Sequence, residues 1–315
     1  MDLSVDLAPR HPRGLRLANP VVWASGTFGA DGYGGGLPPT VRLHHLGAVV
    51  VKTTTLHPRA GHPPPRLVHG LGWLLNSIGL ENPGIDAVLE RYAPRWAKWP
   101  VPVVLSIAGE RVEEFVALAR RAEGVPGVAA LELNLSCPNV EGGLAFAQSP
   151  EATALVTRQV KGVTSLPVVV KLSPQVGDIA PLARAAEQAG ADALALTNTL
   201  VGVAIDRRGR RLALGGGTGG VSGPALKPVA LAMVFRAYEV VDIPIIGIGG
   251  VASGGDALDY LMAGATAVGV GTAALADPCA PQEIAREMPK VLRRYGFPSV
   301  REAIGAAHPR RRGGL

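Results

Sequence analysis

Four asparagines, two lysines and one cysteine hold the chemistry this chain offers. Of its 315 residues only 6 are Lys, against 25 Arg, and only 6 are Asn. Asn76, Asn134, Asn139 and Asn198 fall at or just beyond the ends of β-rich apolar runs. Lys52 ends one such run, and Lys171 lies in the last part of another. An amide offers both donors and acceptors. Converging amides therefore suit a ring with alternating N–H and C=O groups, such as a pyrimidine. A lysine adds recognition of a carboxylate, or stabilises negative charge on a reduced cofactor. A single Asn there is as often a turn or cap residue; the grouping of four points to a ligand. Cys137 stands in Asn134-Leu-Ser-Cys-Pro-Asn139, at a strand-to-loop transition. A lone cysteine is usually buried and inert, but this position suits proton transfer or nucleophilic attack. No His or acid adjoins it in sequence, so the folded site has to manage its pKa. Cys279, after Asp277-Pro278, reads as structural.

Near the end of the chain the pattern is that of a phosphate site. Ile245-Ile-Gly-Ile-Gly-Gly250 and Gly269-Val-Gly-Thr272 let backbone N–H groups approach an anion, and a following helix N-terminus adds a favourable dipole. Gly247–Ala252 also fits the relaxed dinucleotide fingerprint. The next run ends in Gly271-Thr272 rather than an acid, which argues against direct dinucleotide binding. Gly215–Gly220 is followed by Val221-Ser222 rather than Lys-Ser, so it is no P-loop. Two cysteines without a CxxC and seven histidines without HExxH predict no metal site.

These residues need elements to position them. Eight β-rich runs recur: Ala48–Lys52, Leu74–Ser77, Val101–Ile107, Ala129–Leu135, Pro167–Leu172, Ala193–Thr197, Pro244–Ile248 and Ala267–Val270. Helical patterns lie between them, among them Arg111–Ala122, Asp178–Ala189 with Asp178 as cap, and Pro224–Val240 with proline in its first turn. Strands alternating with helices predict a parallel sheet. Eight units predict an α/β fold of the (β/α)8 TIM barrel type, with its active site at the C-terminal strand ends. Residues 1–25 read as an N-terminal hairpin closing the barrel bottom. Leu200–Gly223 reads as a long insertion after strand 6, functional or mobile. No linker splits the chain, so one domain, 1–315, is expected, with 306–315 a mobile tail containing Arg310-Arg-Arg312.

Composition narrows the function classes. The net charge of +6 reads as a solvated basic surface, and 4% aromatics leave few stacking residues for a nucleic-acid face. Neither a signal peptide nor an apolar run of about 18 residues is visible, so a cytoplasmic protein without a membrane span is expected.

Eight segments occur in a specific order: Asn19-Pro-Val-Val-Trp-Ala-Ser-Gly-Thr-Phe-Gly29, Val51-Lys-Thr-Thr-Thr55, Pro63-Pro-Pro-Arg66, Leu75-Asn-Ser-Ile-Gly-Leu80, Asn134–Asn139, Val170-Lys-Leu-Ser-Pro174, Asn198-Thr199 and Ser222-Gly-Pro-Ala-Leu-Lys-Pro228. From Asn19 to Asp277 the chain resembles class 1 dihydroorotate dehydrogenase. Lys52-Thr-Thr-Thr55 and Lys227-Pro-Val-Ala-Leu231 are closest to the catalytic subunit of the NAD-linked B subtype. The membrane-associated class 2 enzymes have Ser where this chain has Cys137, and carry an N-terminal extension.

The resemblance implies FMN and oxidation of (S)-dihydroorotate to orotate in de novo UMP synthesis. By matched position, Cys137 takes the C5 proton while hydride passes from C6 to flavin N5. Lys52 would touch the substrate carboxylate and lie near the flavin. Asn76, Ser77, Ile78, Gly79, Leu80, Asn134, Asn198 and Thr199 would hold the substrate, with Asn139 a further contact. Ser25, Lys52, Thr53, Ser106, Asn134, Lys171 and Thr197 would touch FMN, and Gly223, Gly249, Gly250, Gly271 and Thr272 its phosphate end. Two positions depart from the pattern: Ser106 stands where B-subtype relatives have Asn, and Glu141 where relatives often have Lys. The B subtype further implies a separate subunit with FAD and a 2Fe–2S cluster, because this chain has no cysteine cluster. The implied assembly is a homodimer of catalytic chains with two partner chains. The alternatives are a class 1 enzyme using fumarate or another acceptor, a dihydropyrimidine dehydrogenase-like activity, another phosphate-binding barrel such as a sugar-phosphate isomerase, and a scaffold subunit with a degenerate site.

Overall fold

The computed structural model describes residues 1–135 and 143–309, the side chains of 143–145 excepted. Eight parallel strands close a barrel in chain order: β1 Val21–Trp23, β2 Ala48–Thr54, β3 Val103–Ile107, β4 Ala130–Asn134, β5 Val168–Leu172, β6 Ala193–Leu196, β7 Ile245–Ile248 and β8 Ala267–Val270. β8 closes onto β1 through Val268↔Val21 and Gly269↔Val22. β3, β4 and β5 are buried at every position, which is why they read as continuous apolar runs. One face, including Leu105, Leu131, Leu133 and Val170, packs against the outer helices. The other fills the barrel with Val50, Val104, Ala130, Val169, Ala195 and Ile246. Side chains alternate along a strand. Lys52, Ser106, Glu132, Asn134 and Lys171 share the parity of this interior set, so the pleat turns them inward.

The outer layer comprises α1 Ile85–Trp96, α2 Val112–Ala122, α3 Pro150–Lys161, α4 Ala180–Gln188, α5 Lys227–Tyr238, α6 Gly254–Met262 and α7 Ala280–Arg294. α2 buries Phe115, Leu118, Ala119 and Ala122, a single helical stripe. Ser149 caps α3 by accepting from Ala152 N at 3.1 Å, with Pro150 in the first turn. Asp178 Oδ1 accepts from Ala180 N at 3.0 Å, although the capping position of α4 is Ile179 rather than Asp178. α5 follows a 3-10 turn, Pro224–Leu226.

Three expectations are corrected. The first barrel strand is Val21–Trp23, not Ala48–Lys52. The N-terminal hairpin is accordingly confined to Val5–Asp6 paired with Arg16–Leu17, whose Leu7, Ala8, Leu15 and Leu17 pack onto the interior side chains. Three residues flanked by Asn-Pro and Ser-Gly are too few to show a period. Leu74–Ser77 is not a barrel strand. Trp73–Asn76 pairs antiparallel with Leu67–Gly70 and with Gly219–Ser222, which also pairs with Leu200–Gly202. The insertion after β6 is thus the partner that makes this run a strand. Finally, the tail does not begin at 306. His308 is 4% exposed and its ring stacks on Phe235 at 3.8 Å. Arg310-Arg-Arg312 lies outside the described residues.

Candidate active site

A cavity of about 970 Å³ opens at the C-terminal ends of the strands, roofed on one side by the four-stranded sheet. That is the upper end of the roughly 300–1,000 Å³ range for small-molecule and cofactor sites. Its wall includes Lys52, Asn76, Asn134, Lys171, Thr197, Asn198 and Thr199, side chains from elements far apart in sequence.

A polar relay orders one wall. Ser106 and Thr53 share a hydroxyl–hydroxyl bond of 2.9 Å. Asn134 Nδ2 donates to Thr53 Oγ1 at 3.0 Å, and Asn198 Nδ2 donates to Asn134 Oδ1 at 3.1 Å. Asn198 Oδ1 accepts from Thr199 N at 2.8 Å. Each amide is thereby held in one orientation, with its donor and acceptor faces assigned. Asn76 is tied into the sheet by donating to Gly220 O at 3.1 Å.

Two cations face this wall. Lys52 Cβ packs against Gly32, where an added Cβ would sit 2.6 Å away and φ is +82°. Glycine is therefore required for the loop to lie on the lysine stem. Burial lowers the Lys52 pKa from its ordinary value, with Glu81 partly opposing and Arg66 reinforcing the shift. Lys171 is buried, and its Nζ lies 3.8 Å from Glu132 Oε1.

At the opposite end the cavity is lined by backbone. Gly223, Gly249 and Gly250 have φ of +91°, +137° and +68°. Tyr260 Oη donates to Gly249 O at 2.7 Å and fixes that turn. Gly247 leaves room for the same ring, since a Cβ there would come within 2.4 Å of it. Thr272 Oγ1 donates to Ser222 Oγ at 2.8 Å, joining the end of β8 to the insertion. The turn Pro224–Leu226 that leads into α5 starts beside Gly223, so a positive helix end faces this region.

Most residues singled out in the sequence meet here. Ser25, Thr53, Ile78, Leu80, Gly223, Gly249, Gly250, Gly271 and Thr272 also line the cavity. Three do not. Ser106 is fully buried behind Thr53. Ser77 Oγ is 2.9 Å from His62 Nδ1, and at Gly79 a Cβ would meet His62 N at 2.6 Å. These two shape the loop from behind. Cys137, Asn139 and Glu141 lie outside the described residues. Sequence reading missed Glu81 and Ser222 as wall residues, although both stand next to residues it selected. Cys279 is half-buried beside Thr40 and is not itself part of the cavity wall, although Asp277 and Ala280 on either side of it are.

The family model for dihydroorotate dehydrogenase matches residues 10–292. The protein of Desulforudis audaxviator named dihydroorotate dehydrogenase B (NAD(+)), catalytic subunit, is 50% identical over 296 residues, 94% of this chain and 95% of that protein. The identically named protein of Desulforamulus reducens is 52% identical over 295 residues, 93% of this chain and 96% of its own. A ligand-free DHODH from Eimeria tenella superposes with a TM-score of 0.80 at 24% identity, covering 98% of this chain and 92% of that one, which supports the fold.

Proposed function

The chain belongs to the dihydroorotate dehydrogenase family, and we propose that its barrel mouth oxidises (S)-dihydroorotate to orotate with FMN as first electron acceptor, in de novo pyrimidine synthesis. The observation that carries this reading is the single cavity that joins the Thr53–Asn134–Asn198 relay and Lys52 to a glycine-lined end. The residues fit FMN on two counts. Thr197 Oγ1 is buried without a hydrogen-bond partner among the described residues, and it belongs to the cavity wall. At Gly271 an added Cβ would meet nothing closer than 3.7 Å, so its backbone is bared toward the cavity.

FMN, when bound, supplies the acceptor for the C6 hydride. Lys52 pairs with the substrate carboxylate, a contact strengthened by its partly dehydrated setting. Asn76, Asn134, Asn198 and Thr199 hold the ring N–H and C=O groups, and Ile78 and Leu80 bound it. Ser77 and Gly79 keep that loop in place against His62. Cys137, three residues beyond β4 in sequence, receives the C5 proton, and Asn139 contacts the substrate beside it. Ser25, Lys52, Thr53, Asn134, Lys171 and Thr197 would touch FMN, with Ser106 acting through Thr53. Gly223, Gly249, Gly250, Gly271 and Thr272 would hold its phosphate end.

The onward acceptor is NAD, reached through a separate subunit carrying FAD and a 2Fe–2S cluster. The names of the relatives support NAD and a further subunit; FAD and the cluster are assigned to that subunit from the family resemblance, since two cysteines are too few to ligate a cluster here. The assembly is a dimer of catalytic chains flanked by two partner chains, in the cytoplasm. No helix among the described residues is long and apolar enough to cross a membrane.

Substrate choice tests the reading. Bound FMN should bleach anaerobically with dihydroorotate and stay oxidised with dihydrouracil, which lacks the carboxylate for Lys52. Equal bleaching by both points to a dihydropyrimidine-type enzyme and contradicts the proposal. Cys137→Ala should retain FMN yet be reduced far more slowly; near-normal reduction removes Cys137 as the base.

A further inference from the structure

One buried acid has no part in the chemistry above. Glu132 lies in the middle of β4, two residues before Asn134, with its side chain inside the barrel. It is 1% exposed, and its Oε1 has no hydrogen-bond partner among the described residues. Its strand-register neighbours are Ser106 on β3 and Val169 on β5. Around it the interior is aliphatic: Val104, Ala130, Val169, Ala193 and Ala195. Lys171 Nζ, 3.8 Å from Oε1, is its ion-pair partner. Lys171 in turn sits in register with Asn134 and reaches the cavity wall.

This arrangement is poor for stability alone. A carboxylate withdrawn from water and lacking hydrogen bonds is costly, and an apolar side chain of similar size usually serves a barrel core as well or better. A residue that breaks a local rule this way is expected at a functional site. Its effect must also pass through Lys171, because Glu132 itself is one layer below the cavity floor and is not part of its wall.

We propose that Glu132 is a positioning residue and counter-charge for Lys171, and through it sets how readily the flavin accepts electrons. The inference rests on the FMN reading given above. Lys171 brings a positive charge to the flavin ring, which favours the reduced, electron-rich form. Glu132 holds that ammonium from below and cancels part of its field. In a low-dielectric barrel interior such charges act over several ångströms with little screening. The pair thus holds the flavin potential below the value that Lys171 alone would impose, which favours passing electrons onward over retaining them.

The test is the midpoint potential of bound FMN, measured by dye equilibration in the purified flavin-loaded chain. Glu132→Gln keeps the shape and removes the charge. It should raise the potential so that reduced flavin is favoured about tenfold more at a fixed solution potential, about 30 mV for a two-electron couple. Glu132→Asp keeps the charge but withdraws it by one methylene, and should move the potential the same way by less, two- to threefold. Lys171→Gln should move it in the opposite direction. A structural role alone would lower the melting temperature and leave the potential in place. A potential at or below the parent's in Glu132→Gln overturns the proposal. Should that variant fail to fold, the same result in Glu132→Asp overturns it independently. A parent chain that binds no FMN would instead defeat the underlying reading, so the two failures are separable.

Discussion

Replacing Asn134 by Ala tests whether the cavity wall is one connected relay. Asn134 is 7% exposed, donates to Thr53 Oγ1 at 3.0 Å and accepts from Asn198 Nδ2 at 3.1 Å. Each neutral hydrogen bond contributes about 1 kcal/mol net. Thr53 keeps its bond to Ser106, whereas Asn198 Nδ2 loses this acceptor at a part-buried position on the cavity wall. Loss of the two bonds is a destabilisation of about 2 kcal/mol. At about 2 °C per kcal/mol, the melting temperature of the flavin-free chain should fall by roughly 4 °C. Asn198→Ala should cost about 1 kcal/mol. The bond between the two is lost in both single variants, so the double variant should fall short of their sum by about 1 kcal/mol. Urea unfolding of the four flavin-free proteins measures this coupling. Additivity within about 0.3 kcal/mol would refute the connected relay.

Gly250→Ala would place a Cβ 2.8 Å from Lys227 Cβ at a φ of +68°. FMN affinity, read by fluorescence titration, should weaken at least tenfold, about 1.4 kcal/mol, whereas Gly177→Ala, with nothing within 4 Å, should be neutral or slightly stabilising. Lys52 has its pKa lowered from 10.5, chiefly by burial. In the window between that lowered value and 10.5 the unfolded chain binds more protons, so stability rises with pH. Below the window the penalty is constant, and Lys52→Met should therefore raise the neutral-pH melting temperature of the flavin-free chain and flatten the alkaline rise, while raising KM for dihydroorotate; a lower melting temperature counts against it. His308→Ala should destabilise by about 2 kcal/mol in urea unfolding, from the lost stack on Phe235 and the contact with Ala263 O, and a change within about 0.5 kcal/mol would show that the 306–309 segment is not anchored by this ring.

The barrel was readable because β3, β4 and β5 are buried on both faces and their polar letters fall on one parity. Position at the strand ends, rather than parity, grouped Lys52, Asn134 and Lys171 at one rim before any contact was known. Val21–Trp23 escaped because three residues cannot display a period. Leu74–Ser77 was correctly a strand and wrongly a barrel strand. Alternation reports exposure, not which neighbour supplies the hydrogen bonds, and here the neighbour arrives about 145 residues later at Gly219–Ser222. Ser77 and Gly79 show the limit of adjacency. They neighbour Asn76 and Ile78 in sequence, yet the backbone turns both toward His62. Gly247 was read with its neighbours as part of an anion loop, whereas its bareness serves the Tyr260 ring. Glu132 attracted no notice in sequence, because one acid within an apolar run has no visible partner until β5 is laid beside β4.

The most direct test is an anaerobic single-turnover titration of the flavin-loaded chain with (S)-dihydroorotate, following flavin absorbance and orotate together. One equivalent per chain should bleach the flavin and yield one orotate. NAD added without a partner subunit should leave the flavin reduced. A flavin that stays oxidised while the chain binds dihydroorotate would contradict the proposed oxidation.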